Sequence, residues 1–311
     1  MRWGLLALAA LLPAWGTAQG QQLAFARNAA GGGMESVSYR WLDGAKRERT
    51  TAFALSRRDI ADAEASFERF SLAGMWAAIE SGLRDEMAAS ESGARIEFTR
   101  ERNRLAWSVS APNAAQQGAL VRRLNERFGQ AQNAYLSRHL RRRMADGRIL
   151  VDFAAAATAQ KEAVRGLARA LAEAPGLAAD ERARVALALA FFQQIPYAPL
   201  GDGEARGGDF LAGPALLARN RGDCDSKVVA LAAVLATFVP ERKLAVVSMP
   251  GHVVLGIDLT ALPGEHMAHT AARQYVIMEA SGPLMSPIGD VAPRTAMYLA
   301  DPRQIEIWPL N

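Results

Sequence analysis

Three observations predict an α+β fold for this 311-residue chain. Several short segments alternate apolar and polar residues, as half-buried strands do, and longer segments between them carry apolar residues at helical spacing. A continuous apolar run, Val228 to Val239, reads as a buried helix and leads into two apolar strand segments. Apolar residues make up 50% of the chain and charged residues 22%, the usage of a globular protein that buries a core. The length accommodates two modest domains, and the pattern divides near residue 150. The expected organisation is a leader at 1–20, a small α+β domain at 21–150 and a second domain at 151–311.

The opening stretch, "MRWGLLALAALLPAWGTAQGQQ", has Arg2 as a short positive region, an apolar segment from Gly4 to about Trp15, and small residues with the signature Gly16-x-Ala18. That is the pattern of a secretory signal peptide, and its apolar part is short for a membrane-spanning helix. The expectation is an exported, soluble protein, periplasmic or extracellular. No cysteine lies near the cleavage signature, so lipid attachment there is not expected. The net charge is only +4, carried mostly by arginine. The densest basic run, "RHLRRR" at Arg138–Arg143, falls on a predicted helix without interleaved aromatics. It reads as a solvated face, and no nucleic-acid partner is expected.

In the first domain, Val37, Tyr39 and Trp41 alternate with polar residues, and Asp43-Gly44 turns the chain toward Phe53 and Leu55, predicting a hairpin. A helix is expected from about Asp62 to Met87, with Phe67, Phe70, Met75 and Ile79 as its buried stripe. Ile96 and Phe98, then Leu105, Trp107 and Val109, mark two more strands. A second helix from about Pro112 carries Leu120, Leu124 and Phe128. This half contains no chemical constellation, which leaves it a structural, positioning or substrate-contact role.

The second half begins with a strand-like start and a long Ala-rich helix that Pro175-Gly176 ends. Asp180 caps a helix reaching Phe191 and Phe192, and Pro196 closes it because the residue before a proline avoids helical geometry. A loop containing "GDGEARGGD" leads to "RGDCDSKVVALAAVLATF". Beyond it, "KLAVVSMPGHVVLGIDL" reads as two strands broken at Pro250-Gly251, and "RQYVIMEAS" as a third.

Cys224 is the only cysteine, so no internal disulfide forms. A lone thiol in an exported chain is either a small buried hydrophobe or a group put to use. Asp223 is an N-cap residue type, which sets Cys224 in the first turn of a helix, where unpaired N–H groups and the dipole favour a thiolate. The thiol pKa is therefore expected to fall from about 8.5 toward the roughly 3.5–7.5 range of reactive cysteines. A nucleophile needs a base, and the base an orienter. Of four histidines, His139 lies on the basic helix and is expected to be exposed, while His266 and His269 fall in a loop. His252 opens an apolar strand, and Glu279 closes the next one. These two are the base–orienter candidates. The same three residues, Cys224, His252 and Glu279, also match an open zinc site, a lesser alternative; no metal or cofactor is expected.

The sequence "GDCDSK", then "PGHVVLGI", then "YVIMEASGP" resembles the transglutaminase-like branch of the papain-like cysteine enzymes. "FFQQIPY" and "FLAGPALLARNRGDC" are similar to segments that precede the nucleophile in that family, and the likeness covers about residues 180–285. It implies a papain-like catalytic domain, with helices preceding and packed on an antiparallel sheet. Cys224 would be the nucleophile, His252 the general base and acid, and Glu279 the orienter. The backbone N–H of Cys224 and the Gln193 amide would form the oxyanion hole, with Gln194 the competing choice. Two positions depart from the family: Glu279 stands where Asp is frequent, and Ala215 where an acid is often found. The implied activity is hydrolysis of a protein or peptide substrate through a thioester. Transglutaminase-type acyl transfer and a non-catalytic binding module are the alternatives.

Overall fold

The structure, a computed structural model, describes residues 22–90, 93–101, 104–176, 180–200, 210–282 and 285–311. The expected leader and the glycine-rich stretch 201–209 lie outside the described residues. The chain is α+β.

Strands β1 (Gln22–Ala30), β2 (Met34–Leu42) and β3 (Glu48–Ser56) form an antiparallel sheet in that order. Alternation places Val37, Tyr39 and Trp41 on one buried face with Phe53 and Leu55. Strand β1 has little alternation of its own. It is made a strand by pairing with β2 across a turn in which Gly32 and Gly33 take φ of 68° and 74°, a left-handed geometry that favours glycine.

The single helix expected over Asp62–Met87 is two, α1 (Arg57–Arg69) and α2 (Leu72–Ala88). Phe70 is extended between them, and the Ser71 hydroxyl caps α2 by accepting from the Gly74 N–H at 2.9 Å. Of the expected stripe, Phe70, Met75 and Ile79 are buried, while the Phe67 side chain lies outside the described residues. Strands β4 (Arg95–Glu101) and β5 (Arg104–Ser110) pair as a hairpin, followed by α3 (Ala114–Arg138).

The basic run is not a solvated helical face. Helix α3 stops at Arg138, and Arg141–Arg143 form a short strand, β6, paired with β7 (Ile149–Val151). Arg141 is buried, its guanidinium over the rings of Phe70 and Phe210. His139, expected at the surface, is also buried, its ring 4.5 Å from that of Tyr135. Aromatic faces supplied by distant segments account for both corrections.

The Ala-rich segment is likewise two helices, α4 (Phe153–Gln160) and α5 (Arg165–Ala172). They are followed by α6 (Glu181–Gln194), capped by Asp180 as expected, α7 (Gly213–Arg219) and α8 (Cys224–Phe238). The chain then runs through β8 (Leu244–Met249), β9 (His252–Ile257), β10 (Met267–His269), β11 (Gln274–Met278), α9 (Pro293–Leu299) and β12 (Glu306–Pro309). All five strands share one antiparallel sheet in the order β10-β11-β9-β8-β12. Helix α8 is apolar all round because it is enclosed, by α4, α5, α6 and α7 and by β8 and β9. Among the described residues no helix is long and apolar enough to cross a membrane.

The boundary expected at residue 150 is not where the cores divide. Val37, Tyr39, Trp41, Phe53 and Leu55 of the first sheet belong to one core with α4–α8 and the large sheet. Tyr39 donates a 2.6 Å hydrogen bond to the Leu217 carbonyl, and the rings of Tyr39 and Trp41 meet Phe191 edge-on at 4.9 and 5.5 Å. Helices α2 and α3 with the β4–β5 hairpin enclose a separate core around Met75, Ile79, Leu83, Leu120 and Leu124. Truncating a buried aromatic costs about 3–5 kcal/mol. Trp41→Ala is therefore expected to lower the unfolding free energy of β8, β9 and α8 by that amount, read by native-state hydrogen exchange. Unchanged protection in α8 would mean that two cores do divide at residue 150.

Candidate active site

The segment before α8 is fixed by close backbone contacts. Gly222 accepts from the Ala198 N–H at 3.1 Å and donates to the Pro196 carbonyl at 3.3 Å, so the "IPYA" segment lies along the approach to Cys224. A Cβ on Gly222 would come 2.6 Å from Leu216 Cδ1, so a larger residue here requires the Leu216 side chain of α7 to shift. Asp223 then caps α8, accepting from the Ser226 N–H at 3.3 Å. The Ser226 hydroxyl accepts from the Leu211 N–H at 2.8 Å.

Cys224 is the first residue of α8, and its side chain is partly buried. The backbone N–H groups of Val253 and Asp225 lie near enough to its sulfur to favour the thiolate. The thiol therefore lies beside the start of β9, and Cys224, Val253 and His252 line one cleft. The expectation of a stabilised thiolate is overturned. Burial pushes the thiol up to about 12, the Asp225 and Asp223 carboxylates add to the rise, and the nearby Val253 and Asp225 N–H groups offset only part of it. A helix N-terminus contributes about 0.3–1 kcal/mol, or less than one pKa unit, whereas burial moves a group by up to about 3–5. Burial wins.

His252 opens β9 directly after the Pro250-Gly251 turn, where Gly251 has φ of 72°. Its Nε2 is hydrogen-bonded to Glu279 Oε1, which leaves Nδ1 for another partner. The second Glu279 oxygen, Oε2, accepts from the Thr295 hydroxyl at 3.0 Å. Glu279 and Thr295 are both buried. The extra methylene of Glu over Asp does not prevent the contact, because α9 braces the carboxylate from the side away from His252.

Gln193 does not serve as an oxyanion donor. Its side-chain nitrogen donates to the carbonyls of Glu279 at 2.8 Å and Ser286 at 2.9 Å, which uses both of its hydrogens. Gln194 is no replacement, since its nitrogen bonds the Leu42 carbonyl at 3.1 Å and the Met285 sulfur at 2.8 Å. Gln193 instead ties α6 to the end of β11, where Glu279 stands. Gly282 completes that junction with φ of 57° and a Cβ position only 2.5 Å from the Gln193 carbonyl oxygen. Ala215, where the resemblance often has an acid, is wholly buried in α7.

Two site neighbours escaped the sequence reading. Lys227, one turn after Cys224, is completely buried and donates to the carbonyls of Ile195 and, at 2.9 Å, Ser281. Loss of water pulls its pKa down to about 7, against the upward pull of Asp223 and of the sulfur. A lone lysine in the first turn of an apolar helix was the visible signal. Thr295 had no signal, being remote in sequence from every motif. His266 bonds the Gly289 carbonyl through Nδ1 at 3.1 Å, and His269 ends β10, so the HxxH pair is part of a strand edge.

The cleft measures about 960 Å³ and runs from Cys224 and His252 to Leu72, Met75 and Trp76 of α2 and the β6–β7 hairpin. The first half of the chain thus walls one side of the site. No family model, no curated protein and no solved structure matches this chain.

A thiol held this high carries little thiolate at neutral pH. Iodoacetamide at pH 8 is expected to alkylate native Cys224 at least about tenfold more slowly than free cysteine, since each pKa unit is a tenfold change in thiolate. Asp225→Asn removes a carboxylate that raises the thiol, so it should speed alkylation. Because the folded value exceeds the unfolded one, the group stabilises the fold fully below about pH 8.5 and loses that contribution as pH rises through about 12. A native thiol that titrates below 8 by its thiolate absorbance would contradict this account.

Proposed function

We propose that this chain is an exported cysteine hydrolase of the transglutaminase-like, papain-like type, cleaving amide bonds of peptides or proteins through a thioester on Cys224. One observation carries the reading: the His252–Glu279 pair. One ring nitrogen is held by a buried carboxylate that Thr295 braces, and the other is left for a thiol lying beside the same strand. Nucleophile, base and orienter come from three different elements, α8, β9 and the end of β11. The leader-like opening supports export.

The reaction starts from a protonated thiol. As Sγ attacks the substrate carbonyl carbon, the thiol proton passes to His252 Nδ1 and the carbonyl electron pair moves onto oxygen. Glu279 accepts the Nε2–H and stabilises the imidazolium. The Cys224 backbone N–H, in the first turn of α8, is the donor offered to the developing oxyanion, since the Ser226 and Lys227 N–H groups are taken by Asp223; such a donor contributes about 3–4 kcal/mol. The imidazolium then protonates the leaving nitrogen, the C–N bond breaks, and an amine departs. The thioester on Cys224 is hydrolysed by water that gives its proton to the same imidazole, and the acid leaves as the sulfur regains a proton.

Peptide-library cleavage with wild type against Cys224→Ala tests this reading. Wild type is expected to cleave, with an acyl group on Cys224 detected by intact mass, and Cys224→Ala and His252→Ala to be inert. Thr295→Val loosens the carboxylate by removing the hydroxyl that donates to Glu279 Oε2. It should lower kcat/KM about tenfold, the equivalent of one hydrogen bond to a charge. Cleavage that survives Cys224→Ala would sink the proposal.

A further inference from the structure

A second cavity, of about 340 Å³, lies on the other side of His252. It shares Tyr197, Met249, Gly251 and His252 with the main cleft, so the two spaces meet at the imidazole. Cys224 lines only the larger one. On the hydrolase reading, on which this inference rests, the acyl part stays on Cys224 while the leaving nitrogen takes its proton from His252. The chain beyond the scissile bond must therefore leave past the imidazole, which is where the second cavity begins.

We propose that this cavity is the leaving-side subsite and that it receives a short amine product bearing a carboxylate, a terminal amino acid or dipeptide. Two independent features point to a carboxylate. Ser281 lines the cavity and is 6% exposed, and its hydroxyl, which has almost no accessible surface, has no hydrogen-bond partner among the described residues. A buried hydroxyl left unpaired is costly, and a ligand acceptor relieves that cost. Arg294 also lines the cavity, from α9; it is solvent-exposed, and among the described residues no carboxylate lies within ion-pair distance of it. Its guanidinium sits over the Tyr298 ring at 5.7 Å and donates to the Tyr298 hydroxyl at 3.4 Å. The one acid lining the cavity, Glu279, already uses one oxygen on His252 and the other on Thr295. An uncompensated guanidinium with a waiting hydroxyl is a carboxylate receptor. The volume is at the small end of ligand sites, which limits the occupant to a residue or two. A long polypeptide continuing past the cleaved bond would bring no terminal α-carboxylate here; a chain cleaved near its C-terminus would. The site thus selects for removal of C-terminal residues.

The test uses full-length Cys224→Ala protein, so that binding is read without turnover. A panel of dipeptides with apolar, polar and charged side chains is titrated as free acids and as C-terminal amides by calorimetry or NMR. At least one free acid is expected to bind about tenfold or more tightly than its amide. Arg294→Met should abolish that difference, and Ser281→Ala should reduce it, at an unchanged melting temperature. Binding of no dipeptide acid, equal binding of acids and amides, or an acid preference that survives Arg294→Met overturns the proposal. Peptide cleavage by wild type is measured in parallel. Cleavage without acid preference rejects the subsite and leaves the hydrolase reading standing, whereas acid preference without cleavage rejects the hydrolase reading and with it the leaving-side role, leaving only a carboxylate-binding cavity.

Discussion

Lys227 carries a charge-bearing nitrogen into a place with no exposed surface, one helical turn below the thiol, and bonds it to two carbonyls. Those carbonyls belong to Ile195, at the end of α6, and Ser281, just past β11. A single side chain on α8 therefore sets the spacing of the segments that carry Tyr197, Cys224 and Glu279. Leaving either carbonyl unpaired costs about 1–3 kcal/mol, and exposing the lysine requires opening the core around α8. Gln193 repeats the device one layer away, with its amide on the carbonyls of Glu279 and Ser286. Both polar side chains act as struts, holding main chain that no regular ladder holds.

That frame explains the electrostatics of the site. The first turn of α8 offers the sulfur partial positive charge, but the turn is buried and flanked by Asp223 and Asp225, so the neutral thiol is favoured. On the proposed reading, reactivity then depends on His252 taking the proton as the bond to carbon forms, and the imidazole must stay in one orientation. Glu279 and Thr295 provide this, and the Thr295 brace comes from α9, the last helix of the chain. An arrangement of this kind leaves a lone thiol quiet until a substrate carbonyl arrives. In an oxidising compartment, a quiet thiol is also a protected one.

Much of the secondary structure was legible because the signals are local. Alternation located β2–β5, and continuous apolar runs located β8, β9 and β11; an aspartate cap located the start of α6 and of α8; Pro196 located the end of α6. Elements without a local signal were missed or misread. Strands β1, β10 and β12 exist because a neighbouring strand pairs with them. The break at Phe70–Ser71 and the burial of His139 and Arg141 depend on aromatic rings supplied from elsewhere in the chain. The first sheet joins the core of the second half through Tyr39, Trp41 and Phe191, contacts between residues about 150 apart in sequence that no periodicity could reveal.

The sequence by itself determined the cysteine at a helix start, the histidine opening one strand and the acid closing another, since each depends on capping, turn chemistry and short-range pattern. Only the tertiary structure decided how those three are wired. It took the Gln193 amide away from the cleft, kept the thiol protonated, recruited Thr295 and Lys227, and opened a second cavity beside His252. The physical reason is that desolvation and hydrogen-bond satisfaction depend on everything within a few ångströms of a group, and most of that comes from residues distant in the chain.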